Sequence, residues 1–290
     1  MKLIHIINPV KVGENSDLFI AQPITFQSLI RAKGFCGSPQ NIELLSAQFE
    51  EDQAIIPDFI DTTPDLTRSI LEHGHVNTKK KLPFIKDILD RAYNNSREGD
   101  YIIYSNVDIA LQPFFYEFVF KKIGVGLDAF VVNRRTISKS YSGVDNMNEM
   151  YSEIGKEHPG FDCFIFSREI YKEFVLGEAV LGANWIGRVL ILNLIAFSQN
   201  FKLFNDRILT FHIGDDMAWK TPENLPLDLW NFNCLKNVIE VVKERDSIRS
   251  NALALKLIER TYELNKPKKV KKTSLISRAQ KMVWKYFETQ

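Results

Sequence analysis

Short runs of almost wholly apolar residues, spaced by amphipathic stretches, constrain this chain more than anything else in it. Leu3-Ile4-His5-Ile6-Ile7 is the first such run, Ile42-Glu43-Leu44-Leu45 the second, and Tyr101-Ile102-Ile103-Tyr104 the third. The third has no alternation, the pattern of a strand covered on both faces. Asp128 to Val132, Cys163 to Phe166 and Ile208 to Phe211 read as further strands. Thr25 to Ala32 reads as helix. Leu82, Ile85, Ile88, Leu89 and Ala92 recur at helical spacing, with Pro83 in the first turn, where its missing N–H costs nothing. From Leu235 onward the pattern is helical. Strands alternating with helices predict an open α/β sheet with helices on both faces, with C-terminal helices added.

The 290 residues are 45% hydrophobic and 25% charged, enough for one large core and unlike a disordered chain. A net charge of +1 excludes a nucleic-acid binder that works by bulk charge, so no nucleic-acid partner is expected. Cys36, Cys163 and Cys234 form no CxxC pair and read as reduced thiols of a cytoplasmic protein. The residues after Met1 carry no apolar signal region, and Val189 to Phe197 is too short to span a membrane. Charge is uneven, however. Residues 266–290 hold eight basic residues and one acid. The expected divisions are therefore a catalytic domain over 1–230, helices over 231–265 and a basic tail over 266–290. Leu275, Ile276, Ala279, Met282, Val283 and Phe287 share one face of a helix drawn through that tail. It suits peripheral contact with an anionic membrane, or packing on the domain as a last helix.

Ligands of such sheets bind beyond the carboxyl ends of the strands. The residues there are Asn8-Pro9, Ser105-Asn106-Val107-Asp108, Asn133-Arg134-Arg135 and His212-Ile213-Gly214-Asp215-Asp216. A carboxylate at Asp108 is placed to hold a divalent cation against a phosphate, or to cap a helix beginning near Gln112. Arg134 and Arg135 suit a diphosphate or an acidic sugar, or one salt bridge and one solvated side chain. Lys80, within Lys79-Lys80-Lys81 before a helix start, suits a phosphate contact or plain solvation.

The segment Tyr101-Ile102-Ile103-Tyr104-Ser105-Asn106-Val107-Asp108-Ile109 resembles the strand and Asp-x-Asp metal loop of GT-A-fold glycosyltransferases. Phe211 to Lys220 resembles the late His-x-Gly segment of glycogenin-type members, though Lys220 follows Trp219 where that family has Lys-Pro-Trp. The resemblance implies an α/β, GT-A-like, Rossmann-related fold with a mixed, mainly parallel sheet, helices on both faces and C-terminal helices. It implies Mn²⁺ or Mg²⁺ on Asp108 and His212, with Gly214 near the donor diphosphate. Asn106 stands for the first acid and brings no charge, leaving bonds to ribose hydroxyls. Asn8 falls at the nucleotide end of the first strand. The loop from His158 into Cys163 corresponds to the acceptor side. There Asp162 is the candidate general base of an inverting enzyme, or a turn residue before a buried strand, with His158 as the other candidate base. Trp185, after Asn184, lines the acceptor cleft or belongs to the core.

The implied activity is transfer of a sugar from a nucleotide diphosphate sugar to a hydroxyl of a glycan or lipid-linked acceptor, in surface polysaccharide synthesis. A sugar-1-phosphate nucleotidyltransferase is the alternative, although Asn8 to Gly13 poorly matches its glycine-rich loop. So is a non-catalytic nucleotide- or glycan-binding protein with a decayed metal site.

Overall fold

The computed structural model describes residues 1–74, 76–214 and 221–265. The basic tail, Asp215, Asp216, Trp219 and Lys220 lie outside them. The first half of the chain forms β1 (Leu3–Ile7), α1 (Leu18–Phe35), β2 (Ile42–Ser46), β3 (Asp61–Thr62), α2 (Ile85–Asn95), β4 (Tyr101–Ser105), β5 (Ala110–Leu111), α3 (Phe115–Gly124), β6 (Ala129–Val132) and β7 (Arg135–Ile137). The second half forms α4 (Met147–Ser152), β8 (Lys156–Glu157), β9 (Cys163–Ser167), α5 (Arg168–Tyr171), α6 (Ile186–Phe197), β10 (Phe201–Phe204), β11 (Thr210–Ile213), α7 (Leu225–Val242), α8 (Asp246–Arg249) and α9 (Ala252–Asn265). The chain divides into two compact units, Met1–Leu255 and a second from Lys256 onward. The expected boundary at residue 230 lies within α7. Among the described residues no helix is long and apolar enough to cross a membrane.

Seven strands form the central sheet in the order β10-β6-β9-β4-β1-β2-β3. Every neighbouring pair is parallel except those made by β9, which runs antiparallel to both β4 and β6. The fold is thus the α/β sheet that the apolar runs predict, with the mixed, mainly parallel order that the resemblance implies. Side chains alternate across a strand. Leu3 and Ile7 of β1 pack in one core cluster with residues of α1 and α3. Ile4 and Ile6, fully buried, point to the other face, where α2 packs against β1.

Three expectations need correction. Ile208 to Phe211 is not a strand of this sheet. The strand is β11, and it belongs to a second sheet ordered β5-β11-β7-β8. His212 therefore lies within a strand, opposite Thr136 of β7, rather than after one. Pro83 is not in a first helical turn either. Phe84 caps α2 and bridges Val180, and the Pro83 carbonyl accepts from the Leu181 N–H, so Leu82 and Pro83 are extended. A proline favours that extended state in the residue before it. Finally, the late helices start ten residues before Leu235, at Leu225, with Pro226 in the first turn.

One buried polar group crosses the core. His5, in the middle of β1, places Nδ1 2.8 Å from Tyr116 Oη on α3 and Nε2 2.9 Å from Ser105 Oγ at the end of β4. Both ring nitrogens are satisfied, which is what burial of an imidazole requires. Burial pushes its pKa down from 6.5 to about 3. Because the unfolded chain takes up a proton that the folded chain refuses, His5 withdraws stability as pH falls from 6.5 toward 3. Urea midpoints across that range should show this fall in the native protein and a shallower one in His5→Leu. At neutral pH, Tyr116→Phe should cost about 1–3 kcal/mol by leaving a buried ring nitrogen unpaired.

Candidate active site

The two sheets meet in the segment after β4. Val107 and Ile109 are buried and anchor it, while Asn106 before them and Asp108 between them are partly buried. The Ile109 N–H donates to the Asn106 carbonyl, which turns the chain from β4 toward β5. Asp108 caps no helix. The strand β5 intervenes, and α3 starts only after Phe114. The antiparallel pairing of β5 with β11 instead carries Asp108 alongside His212, with Nε2 3.2 Å from Oδ2.

His212 Nδ1 lies 2.8 Å from the Gly214 carbonyl and donates to it, since a carbonyl only accepts. In the neutral ring Nε2 then presents a lone pair to a carboxylate oxygen. That juxtaposition is favourable only with a second proton on the ring or a cation shared by both atoms. Cis ligands of an octahedral cation at about 2.1 Å stand about 3 Å apart, so the pair already has that spacing. Asp108 Oδ1 is buried without a hydrogen-bond partner. An oxygen and an imidazole nitrogen suit Mn²⁺ or Mg²⁺ completed by phosphate and water. Among the described residues no group of three His, Cys, Asp or Glu side chains that could hold a metal is gathered. Gly214 has φ 71°, a left-handed conformation that turns its carbonyl back to His212. A Cβ there would sit 3.4 Å from the side chain of Lys139, which no sequence signal distinguishes from other loop lysines.

Asp162 arrives from the other side. Cys163, at the start of β9, pairs with Ser105 of β4 and with Val132 of β6. Asp162, one residue earlier, is therefore brought between Asn106 and Asn133. It is only 7% exposed, its Oδ1 is 3.6 Å from Arg134 Nη1, and its Oδ2 is buried without a partner. Asn133 Oδ1 and Arg134 Nε are orphaned in the same way. Such atoms are rare in a folded protein, and four from one short set of turns leave hydrogen-bonding capacity there for water or a polar ligand to meet. Burial pushes the Asp162 carboxyl up to about 6; Arg134 opposes that rise and Asp108 adds to it. Burial also acts to raise Asp108, but the bond and charge from His212, with Arg134, outweigh it and hold that carboxyl below its ordinary value.

His158 serves Arg134. Its Nδ1 accepts from Arg134 Nη2 at 3.4 Å, and its ring lies over Gly160, where a Cβ would come 2.5 Å from Nε2. Arg134 charge is thus already met by Asp162, which weakens the case for an acidic sugar. Arg135 is spent elsewhere: it donates to the carbonyls of Ile154 and Gly155 and pairs with Glu157 of β8. Asn8 ties the end of β1 to the Ala47 carbonyl after β2, and Lys80 donates to Asn224 at the start of α7. Tyr104 donates to Asn106 Oδ1, leaving the amide NH₂ of Asn106 as its donor. Trp185 precedes α6 and packs on Phe232 of α7.

No family model and no curated protein matches this sequence. Solved structures match its fold. Residues 1–349 of S. aureus TarS in complex with UDP-GlcNAc superpose with a TM-score of 0.56, over 91% of this chain and 73% of that one, at 9% identity. The same fragment with UDP gives 0.54 at 8% identity, over 91% and 72%. The fold is GT-A-like, a mixed α/β architecture shared with these structures. At this identity the likeness is one of architecture, and the residues of the site stand on their own geometry.

Arg134 pairs with Asp162, and side-chain exposures of 11% and 9% leave the pair little water. Removing one partner of a buried pair costs about 3–5 kcal/mol. Arg134→Leu should lose stability of that order at pH 7 in chemical denaturation, and less at pH 5, where Asp162 is protonated.

Proposed function

We propose that this protein is a metal-dependent glycosyltransferase that moves a sugar from a nucleotide diphosphate to a hydroxyl of a glycan or lipid-linked acceptor. The observation that carries the reading is the Asp108–His212 pair, which lies within electrostatic reach of a second, buried carboxylate, Asp162, paired with Arg134. Mn²⁺ or Mg²⁺ held by Asp108 and His212 would supply positive charge opposite the leaving diphosphate. The Asn106 amide donates to a donor hydroxyl, a neutral contact where related sites use an acid. Gly214 gives the diphosphate room to approach the backbone. Asp162, with its carboxyl near 6, is largely ionised at neutral pH yet basic enough to take a proton. It accepts the proton of the acceptor hydroxyl as the new carbon–oxygen bond forms. The sugar–phosphate bond breaks and its electron pair leaves with the nucleotide diphosphate. The basic segment 266–290 would bring the enzyme to an anionic membrane where lipid-linked acceptors reside.

Calorimetric titration of Mn²⁺ and UDP tests the metal assignment without relying on turnover. Asp108→Asn and His212→Ala should each weaken Mn²⁺-dependent UDP binding, Asp108→Asn more, since it removes the charge. Their effects should be non-additive, because both residues serve one ion. Metal dependence like that of the native protein in both variants overturns the assignment.

Asp162→Asn separates base from binding residue. It should lower transfer by about 10²–10⁴-fold while donor affinity holds. In the native enzyme the rate should rise with pH through about 6 as the carboxyl loses its proton. An equal loss of donor affinity would place Asp162 in the nucleotide site instead.

A further inference from the structure

The unpartnered polar atoms around Asp162 are selective in what they can bind. Carried one residue past the pairing of Val132 with Cys163, the register of β6 and β9 sets Asn133 opposite Asp162. The Asn133 N–H donates to the Phe204 carbonyl of β10, so its backbone continues the ladder. Opposed residues on antiparallel strands present their side chains to the same face, with Cβ atoms about 5 Å apart. Asn133 is 4% exposed and Asp162 7%, so neither can turn to bulk solvent.

The amide of Asn133 has one favourable orientation. Its NH₂ donates to the His158 carbonyl at 3.5 Å, and the flipped amide would set two oxygens against each other there. Oδ1 is thereby the unmet atom, buried and without a partner among the described residues. Asp162 Oδ2 is in the same state. So is the Arg134 Nε–H, the same guanidinium giving Nη1 to Asp162 Oδ1 at 3.6 Å and Nη2 to His158 Nδ1 at 3.4 Å.

The unmet set is two acceptor oxygens and one N–H donor. A phosphate or carboxylate group only accepts. It would meet Arg134 but set its own oxygens against Asn133 Oδ1 and Asp162 Oδ2. An ammonium only donates, so it would leave Arg134 Nε unmet and add a like charge beside it. A hydroxyl both donates and accepts. Two hydroxyls side by side satisfy both oxygens, and one of them also accepts from Nε–H. Water has the same two capacities. A ligand that takes the place of water must return its bonds, which a pair of hydroxyls does and a deoxy position does not.

We infer that Asn133 is a specificity-determining residue, which reads on a neutral acceptor sugar the hydroxyl adjacent to the one that Asp162 takes. The inference rests on the acceptor-side role proposed for Asp162 and adds the chemistry of the group it accepts.

Full-length protein with Mn²⁺ and UDP is screened by saturation-transfer NMR against the methyl glycosides of glucose, galactose, mannose and N-acetylglucosamine, with methyl glucuronide as the charged control. At least one neutral glycoside should bind, and methyl glucuronide should not. Monodeoxy analogues of the tightest binder are then titrated. The analogue lacking the adjacent hydroxyl should bind about tenfold more weakly than the parent, as for one lost hydrogen bond. Asn133→Ala should weaken the parent by a similar factor and leave that analogue where it was, erasing the difference between them. A purely structural role for Asn133 would weaken parent and analogues alike. Asn133→Leu, closer in volume, repeats the measurement if the alanine variant does not fold. Mn²⁺-dependent UDP binding should hold in both. The inference is overturned if no neutral glycoside binds while UDP does, if methyl glucuronide binds as tightly, or if the variants keep the native preference for the parent over every deoxy analogue. Absence of Mn²⁺-dependent UDP binding in the native protein would instead sink the glycosyltransferase reading itself.

Discussion

The antiparallel seat of β9 between β4 and β6 is the constraint on which the site depends. In a wholly parallel sheet the strand ends that face ligands are all carboxyl ends. Reversing one strand brings an amino end to that edge, and with it the residue that precedes the strand. Cys163 pairs at once with Ser105 and Val132, so the turns after β4 and β6 and the turn before β9 converge. Asn106, Asp162, Asn133 and Arg134 are near one another because of that register. A one-residue slip would send the Asp162 side chain to the opposite face.

Convergence creates an electrostatic problem that the site resolves in a graded way. Two carboxylates approach one cation, Arg134. Asp108 has His212 as well, and its proton affinity falls below the ordinary carboxylate value. Asp162 is more deeply enclosed, and burial wins there, so its affinity rises. Two residues of the same chemistry are thereby separated, one suited to standing as a permanent anion and the other to exchanging a proton. Arg134 is itself held by His158, whose ring needs the bare backbone of Gly160 beneath it.

The remaining polar burial holds this edge in place. His5 links β1, α3 and the last residue of β4, so Ser105 cannot shift without breaking a bond inside the core. Tyr104, one residue earlier, fixes the Asn106 amide. On the far side α7 clamps the turn before α6 through Asp228 and Asn231. The candidate residues thus sit on short turns whose two ends are both anchored in buried structure, an arrangement suited to holding a site in shape.

Much of the scaffold is legible from residue pattern alone. β1, β4, β6 and β9 are buried on both faces, so their sequences are apolar but for His5, Ser105 and Ser167 and cannot be mistaken for solvent-exposed loops. A family resemblance singled out Asn106-Val107-Asp108 and His212-Ile213-Gly214, and the fold brings Asp108 and His212, 104 positions apart, within 3.2 Å of each other. Pattern could not place β11 in a second sheet, because a short strand of mixed burial has the same composition in either sheet. Nor could it separate Arg134 from Arg135. Adjacent residues of one type differ only in which way the backbone turns them, and one meets Asp162 while the other is consumed by Ile154 and Gly155. The orphaned atoms of Asn133 and Asp162 exist only once distant segments pack. The sequence by itself determined which segments must be buried, since that follows from the apolar content of each run. The partner of each polar side chain was decided by tertiary structure, because hydrogen bonds and ion pairs depend on ångström distances between residues far apart in the chain.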